Sequence, residues 1–412
     1  IRWGAIDQAL QRLSDCLDLP GLVEQLPTHV ETVVNCVPAC LRLVPWAALP
    51  VTRAATGSLP KITLLDLYAI RTYSSIAEWE LVERALDESP HGNDDRSLVC
   101  IDGSDVVPDD AAAGSDVVRN KGQATQELKL AGLECTVVAT AWAQQAPSHW
   151  IAAGDMATPQ AICTDFHSSP PRGRDNRGDH IEHSLLAQAK ALEQCRVLNI
   201  CATAAVKNRE SALRLCAVDL ASEAATMTAT DIVKQLWLKE CRLVVLSRYA
   251  LLECATSTTQ AAAAVDVVDA FLLAGATNVM HMTWAVHSTS SIVCSLLITL
   301  KMTEVLPRFR MRRTPLVEAL RSAQLWVRSA LAQDCKDLVA RSNLSDLGKY
   351  TLLEVLALIV SVNTATGQIT PKPLFMHPFF WANFQFVGAG YGLEGSEDAE
   401  AFPLASQIYW AR

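Results

Sequence analysis

The spacing of apolar positions along the chain predicts alternating helices and strands. From Trp3 to Leu17 apolar residues recur every three or four positions, which is typical of one face of an amphipathic helix. We expect Pro20 and Gly21 to end that helix. Between Leu41 and Pro50 two prolines make a continuous helix or strand implausible, and Trp46 is interpreted as a core anchor.

Short apolar runs bounded by turn residues predict strands, which we place at 31–37, 66–73, 97–102, 134–140, 197–202, 242–247 and 278–284. Helical spacing falls between them, and we expect helices at 75–86, 123–130, 157–165, 181–193, 229–239, 261–274, 288–305 and 316–331. Repeated alternation every ~30 to 40 residues indicates βαβ crossovers and a mostly parallel sheet. The segments 87–95 and 168–179 are expected to be solvated loops.

One predicted strand is of special interest because of the residues at its carboxyl end. The apolar run Leu243 to Leu246 stops at Ser247, and Tyr249 comes two positions later. In open α/β sheets, ligands bind outside the carboxyl ends of the strands. The sequence therefore places a phenol, rather than an obvious nucleophile, at the expected crevice.

Composition and charge exclude several classes of protein. Half of the 412 residues are hydrophobic and 19% are charged, so we expect a large core. A net charge of −9 and a pI near 5.5 disfavour nucleic-acid binding, which needs clustered Lys and Arg. No uninterrupted apolar run reaches the ~18 residues of a membrane span.

The thirteen cysteines are scattered through apolar runs, which favours buried thiols over a disulfide framework. We therefore expect a reducing, intracellular compartment, in the cytosol or inside an organelle. Cys36 and Cys40 form a CxxxC pair, but no second pair stands at metal-ligand spacing. The chain begins with Ile1 rather than Met, so processing or preceding residues are expected.

Common catalytic signatures are absent from the sequence. It contains no P-loop, no HExxH and no GxSxG, and we expect no cofactor. Asp179, His180, Glu182 and His183 could hold a metal ion, but a polar helix start is the preferred interpretation. The arginines at 308–313 form either a solvated helix junction or a docking patch for an acidic partner. The loop that contains Arg172, Arg174 and Arg177 also contains acidic residues, so its charge is mixed.

Seven segments in chain order carry a resemblance to a known family. They are VNCVPACLRLVPWAALP (34–50), GDMATPQAI (154–162), CRVLNICATAAV (195–206), SALRL (211–215), TATDIVKQLWLKECRLVVLS (228–247), GATNVMHMTWAV (275–286) and HPFFWANFQFVG (377–388). Together they resemble the CHAT domain, a caspase-like module related to separase. The resemblance implies an α/β fold, a three-layer α-β-α sandwich with a mostly parallel central sheet. We assign 1–390 to this domain, with a helical lead-in at 1–28, and 391–412 to an acidic tail.

In that family a histidine activates a cysteine nucleophile, because a thiol is mostly protonated at neutral pH. The family's motif reads leucine-His-apolar-Ala-x-His-Gly. Carried onto this chain, its first histidine falls on Asn199, the base on Thr203 and the glycine on Ala204. The nucleophile falls on Tyr249, with Arg248 beside it. Neither an amide nor a hydroxyl can act as a base at neutral pH, and a phenol of pKa ~10 replaces a thiolate poorly.

This substitution pattern is compatible with two functions. The first is a catalytically inactive pseudopeptidase that serves as a scaffold or adaptor for other proteins of a larger assembly. The second is a cysteine endopeptidase with a relocated dyad, Cys254 and His287. Cys201 is expected to pack as a small hydrophobe. We favour the scaffold, and we expect neither a metal nor a cofactor in it.

Overall fold

The computed structural model describes residues 3–37, 39–52, 62–87, 97–102, 148–153, 195–207, 210–214, 226–250, 266–284, 288–309, 315–365 and 372–390, with positions 137 and 141. Its α-helices are α1 Trp3–Cys16, α2 Leu19–Gln25, α3 Leu64–Leu67, α4 Ile76–Asp87, α5 Ala229–Gln235, α6 Val267–Leu273, α7 Thr289–Val305, α8 Pro315–Ser329, α9 Ala332–Arg341, α10 Asp346–Ala365 and α11 Pro378–Trp381. Short 3-10 helices cover Ala39–Leu43, Trp46–Ala48 and Leu306–Phe309.

The described strands form two sheets. They are β1 Thr32–Cys36, β2 Ala69–Tyr73, β3 Ser97–Asp102, β4 Ser148–Ala153, β5 Cys195–Cys201, β6 Thr203–Lys207, β7 Glu210–Arg214, β8 Thr226–Thr228, β9 Leu243–Ala250, β10 Asn278–Met282 and β11 Phe384–Gly388. Eight of them build the central sheet in the order β1-β2-β11-β10-β9-β5-β3-β4, and β6, β7 and β8 form a small antiparallel sheet.

The central sheet is mostly parallel, as predicted. Neighbouring strands pair in parallel everywhere except at β10 and β11, which are antiparallel. β1, β2 and β11 therefore run in one direction, and β10, β9, β5, β3 and β4 in the other. The carboxyl ends of β5, β9 and β10 consequently meet at one edge, which we call the carboxyl edge.

Two hydrophobic cores lie on opposite faces of this sheet, because successive side chains of a strand point to opposite sides. Val245 and Met280 face a core built with α7, α8, α9 and α10. Val244 and Val279 face a second core built with α5 and α6. This arrangement is the expected α/β sandwich, and it explains why the central strands are continuous apolar runs.

Several local predictions are confirmed by the hydrogen bonds at element ends. Trp46 is buried between two prolines, in short 3-10 turns rather than a continuous element. Ser75 accepts a hydrogen bond of 3.1 Å from the Glu78 amide at the start of α4. Gly275, at φ +109°, follows α6 and adopts a backbone conformation that favours glycine.

Other predictions are wrong in ways that have physical causes. Pro20 and Gly21 do not end a helix but lie in the first turn of α2, where proline's missing N–H is not needed. Asp66 belongs to α3, because it forms a capping box with Thr63, so the strand starts only at Ala69. Val137 is helical, although a strand was predicted at 134–140, since a short apolar run fits either element.

The small sheet, β4 and α9 were not predicted from the sequence. Among the described residues one helical stretch, Thr289–Phe309, is long and apolar enough to cross a membrane, but 78% of its apolar window is buried inside the protein. A buried core helix passes the same test, and α7 packs between α8 and α9. The predicted elements at 123–130, 157–165 and 181–193 and the tail 391–412 lie outside the described residues.

Candidate functional site

The candidate site is built where the neighbouring strands β5 and β9 end. Ile200 and Leu246 are register partners in this parallel pair. Thr203 comes three positions after Ile200, and Tyr249 comes three positions after Leu246. The two positions assigned to the family's base and nucleophile therefore follow the last registered pair of β5 and β9 by the same number of residues, near the carboxyl edge.

Asn199 and Ser247 lie just inside this edge and hold the two strands together. The Ser247 hydroxyl donates a hydrogen bond of 2.7 Å to Oδ1 of Asn199, and both side chains are buried. Nδ2 of Asn199 has no hydrogen-bond partner among the described residues. The position that resembles the family's first histidine is thus occupied by a neutral, fully buried amide.

The strand that carries Tyr249 is longer than its apolar run predicts. β9 continues through Ser247 and Arg248 to Ala250, so Tyr249 lies within the strand and not beyond it. Its pairing with β10 shifts: Val245 is opposite Met280, but Ala250 is opposite Met282. Four residues of β9 thus face one residue of β10, His281. Such a bulge bends a strand and re-aims its residues, which is common beside functional sites.

Thr203 begins β6, the first strand of the small sheet, after a one-residue break from β5. β6 lies against β9, so the small sheet flanks the Tyr249 segment. Ala204 pairs with Leu213 in an antiparallel ladder. Asp18 alone has a positive φ among the described non-glycine residues, which means that the φ of Ala204 is negative. The backbone here therefore does not require the family's glycine.

His281 is the described histidine at the carboxyl edge, and it is a poor base. Its side chain is 1% exposed, and burial lowers its pKa to about 4. Nδ1 lies 3.1 Å from the Met282 carbonyl oxygen, which can only accept, so this nitrogen carries the proton of the neutral ring. At neutral pH His281 is a buried, uncharged imidazole.

A buried ion cluster that was not predicted from the sequence lies next to His281. The Arg42 guanidinium donates to both carboxylate oxygens of Asp269, at 2.6 and 3.0 Å, and contacts Asp266 at 2.7 Å. Asp266 caps α6 by accepting a 2.9 Å hydrogen bond from the Asp269 amide. The charges of Asp266 and Arg42 both act on His281. The cluster thus ties the Ala39–Leu43 turn to the start of α6.

Two carboxylates share this single guanidinium, and the pKa values of the cluster reflect it. The pKa of Asp269 is raised to about 8. Burial is the largest cause, the charge of Asp266 adds to it, and the charge of Arg42 opposes it. Burial alone would lower the pKa of Arg42, but Asp266 and Asp269 hold it above its ordinary value. Two sequence signals could have indicated the cluster. Arg42 is a charged residue inside the apolar run LRLVP, and Asp266 and Asp269 are the two acidic residues of DVVD.

Some of the other candidate site residues lie within the ranges that the structure describes, and others lie outside them. Cys201 is the buried last residue of β5, as expected for a small hydrophobe. Cys254 and His287 lie outside the described residues, as do 172–183 and 310–313. Within the described ranges no three potential metal ligands come together. For Cys36, burial and the charge of Glu78 raise the thiol pKa.

The family model described as CHAT domain matches residues 7–389, which is most of the chain. A comparison with curated protein sequences finds no match for it.

Proposed function

Because the chain belongs to the CHAT-domain family, which is caspase-like and protease-related, we propose that it is a catalytically inactive member that works as a scaffold or adaptor. The observation that carries the proposal is the residue types at two positions near the carboxyl edge. Thr203 and Tyr249 each follow the registered pair Ile200 and Leu246 by three residues, and there the family resemblance expects a histidine and a cysteine.

The chemistry of these residues supports inactivity. A hydroxyl does not take up a proton near neutral pH, and a phenol of ordinary pKa ~10 is scarcely ionised there. His281 is a poor replacement for the base, because its side chain is 1% exposed and burial lowers its pKa to about 4, so that it takes up a proton only weakly at neutral pH. A fold can persist without its active site, since function depends on sites placed on the fold.

The proposed setting is a reducing compartment inside the cell, where the partners are other proteins of a larger assembly. Cys195, Cys241, Cys294 and Cys335 are buried and form no disulfide. Buried thiols of this kind pack as small hydrophobic groups.

Restoration of the family's residues tests the proposal. The full chain and the double variant Thr203→His, Tyr249→Cys are incubated with a proteome-derived peptide library, and new termini are measured by mass spectrometry. The proposal expects no alkylation-sensitive cleavage by the natural chain, and acquired cleavage would show that the edge retains the family's geometry. The relocated dyad is favoured instead if the natural chain cleaves peptides and both Cys254→Ala and His287→Ala abolish the cleavage.

A further inference from the structure

A tryptophan stands exposed at the end of the molecule opposite the candidate site. Trp237 is 60% exposed, although other tryptophans such as Trp46 and Trp381 are buried. It comes after α5 and lies beside the end of α6, since the Leu238 amide donates a 2.8 Å hydrogen bond to the Ala274 carbonyl oxygen. α6 begins at the Arg42 cluster and runs ~10 Å to this end.

The exposed indole is held in place by its neighbours along the chain. Leu236 and Leu238, on either side of it, are buried in the core. The Cys241 amide donates a 2.9 Å hydrogen bond to the Leu238 carbonyl oxygen, and a Cβ on Gly275 would come within 3.1 Å of the Lys239 amide nitrogen. Trp237 is therefore presented by a tightly packed backbone, and binding there requires little ordering of the protein.

Exposed apolar and basic residues occur on the segments that adjoin Trp237. Val233 of α5 and Leu273 of α6 are 41% and 48% exposed, and these two helices pack against each other. The Lys239 ammonium lies 4.2 Å from the centre of the indole ring, and Lys234 is also exposed. Segment 233–242 contains three basic residues and one acidic residue in a chain whose net charge is −9. The surface is thus locally positive on an acidic protein.

We propose that Val233, Trp237 and Leu273, with Lys234 and Lys239 at their rim, form a docking site for an acidic segment of a partner protein that carries an apolar anchor residue. Tryptophan is enriched among the residues that dominate binding energy at protein interfaces. The two lysines select carboxylates and steer the acidic segment to the indole. The surplus of negative charge elsewhere on the chain disfavours long polyanions such as nucleic acid or an anionic membrane.

The docking site lies on the face of α5 and α6, away from the carboxyl edge that holds Thr203 and Tyr249. An occupant therefore leaves the crevice accessible. The docking site forms whether or not that crevice is catalytic, so the docking site and the proposed inactivity can fail separately.

Selection of peptides by the full chain tests the docking site. A random dodecamer library displayed on phage is selected on the natural protein and counter-selected on Trp237→Ala. We expect the retained peptides to be net acidic and to carry an aromatic or aliphatic residue. A synthetic copy of the best peptide should bind Trp237→Ala and Lys239→Glu at least ~10-fold more weakly than the natural chain.

Tyr350→Ala is the matched control, because Tyr350 is 67% exposed on α10, which packs against the opposite face of the sheet. The Tyr350→Ala variant should bind the peptide as tightly as the natural chain does. All variants should unfold at the same temperature as the natural chain. The proposal is overturned if no peptide depends on Trp237 or if the retained peptides are basic. It is also overturned if phosphatidylserine vesicles or oligo-dT bind through Trp237 while the peptides do not.

Discussion

Ser247 and Asn199, 48 residues apart in sequence, join the two strands that end at the candidate site through a buried 2.7 Å hydrogen bond. The bond occupies Oδ1 of Asn199, whose Nδ2 has no partner within the described part of the chain. The amide therefore depends on Ser247 for its satisfaction. This relationship places a neutral, structural hydrogen bond where the family resemblance expects a histidine.

Ser247→Ala should lower the free energy of unfolding by about 1–3 kcal/mol, because it removes the donor to a buried amide oxygen. Replacing both partners, in Asn199→Leu with Ser247→Ala, should recover part of that loss. Chemical denaturation measures both effects. Ser361→Ala is the control, since that exposed hydroxyl donates to the Leu358 carbonyl of its own helix. A double variant less stable than Ser247→Ala would contradict the explanation.

Arg42→Met should be strongly destabilising, by about 3–5 kcal/mol, because it removes the cation and hydrogen-bond donor that the buried Asp266 and Asp269 side chains share. Arg341→Met is the matched control. Arg341 is 60% exposed and lies 3.5 Å from Glu304, so its loss should cost below about 1 kcal/mol. Thermal unfolding of the two variants at neutral pH compares them, and equal losses would show that the buried cluster is not structural.

The stability of the protein should depend on pH through Asp269. Its pKa is about 8 in the folded chain and 3.8 ordinarily, so the folded state binds a proton that the unfolded state does not. The stability linked to this proton is fully present below the ordinary pKa and is lost as pH rises through about 8.

Asp269→Asn removes the titrating group while keeping an oxygen that can accept from Arg42. We therefore expect the unfolding temperature of the variant to fall less than that of the natural chain between about pH 5 and pH 8. Melting curves across this range provide the comparison. Parallel pH profiles for the two proteins would mean that Asp269 does not titrate there.

Gly388 should be intolerant of any side chain. Its φ is +126°, and a Cβ added there would clash with the Thr277 carbonyl oxygen, where β11 meets β10. Gly388→Ala should cost more than about 2 kcal/mol, from backbone strain together with the clash. Gly4→Ala is the contrasting variant, because nothing lies within 4 Å of its added Cβ in α1, and it should be neutral or stabilising. Denaturation midpoints that rank the two variants in the opposite order would contradict this explanation.

The central strands could be predicted from the sequence because both faces of each are buried. Val244, Val245 and Leu246 contact the two cores in turn, so the run is apolar without interruption. β6 could not be recognised in the same way, since an alanine-rich strand of a small sheet carries neither a long apolar run nor clear alternation.

The candidate site was predictable only in part. That Thr203 and Tyr249 follow neighbouring parallel strands could be predicted from the apolar runs that precede them. The bulge that places Leu246–Tyr249 opposite His281 depends on register between strands, which one strand's pattern does not contain. Similarly, Arg42 and Asp269 are 227 residues apart, and no periodicity connects them.

Turnover by the natural chain is the most direct measurement of the proposed inactivity. The chain is incubated with a pool of fluorogenic peptides before and after iodoacetamide, and mass spectrometry records which cysteines react. We predict no hydrolysis above buffer and no single cysteine that is modified stoichiometrically ahead of the others. Peptide hydrolysis that iodoacetamide stops, together with rapid labelling of Cys254 that His287→Ala prevents, would contradict this prediction.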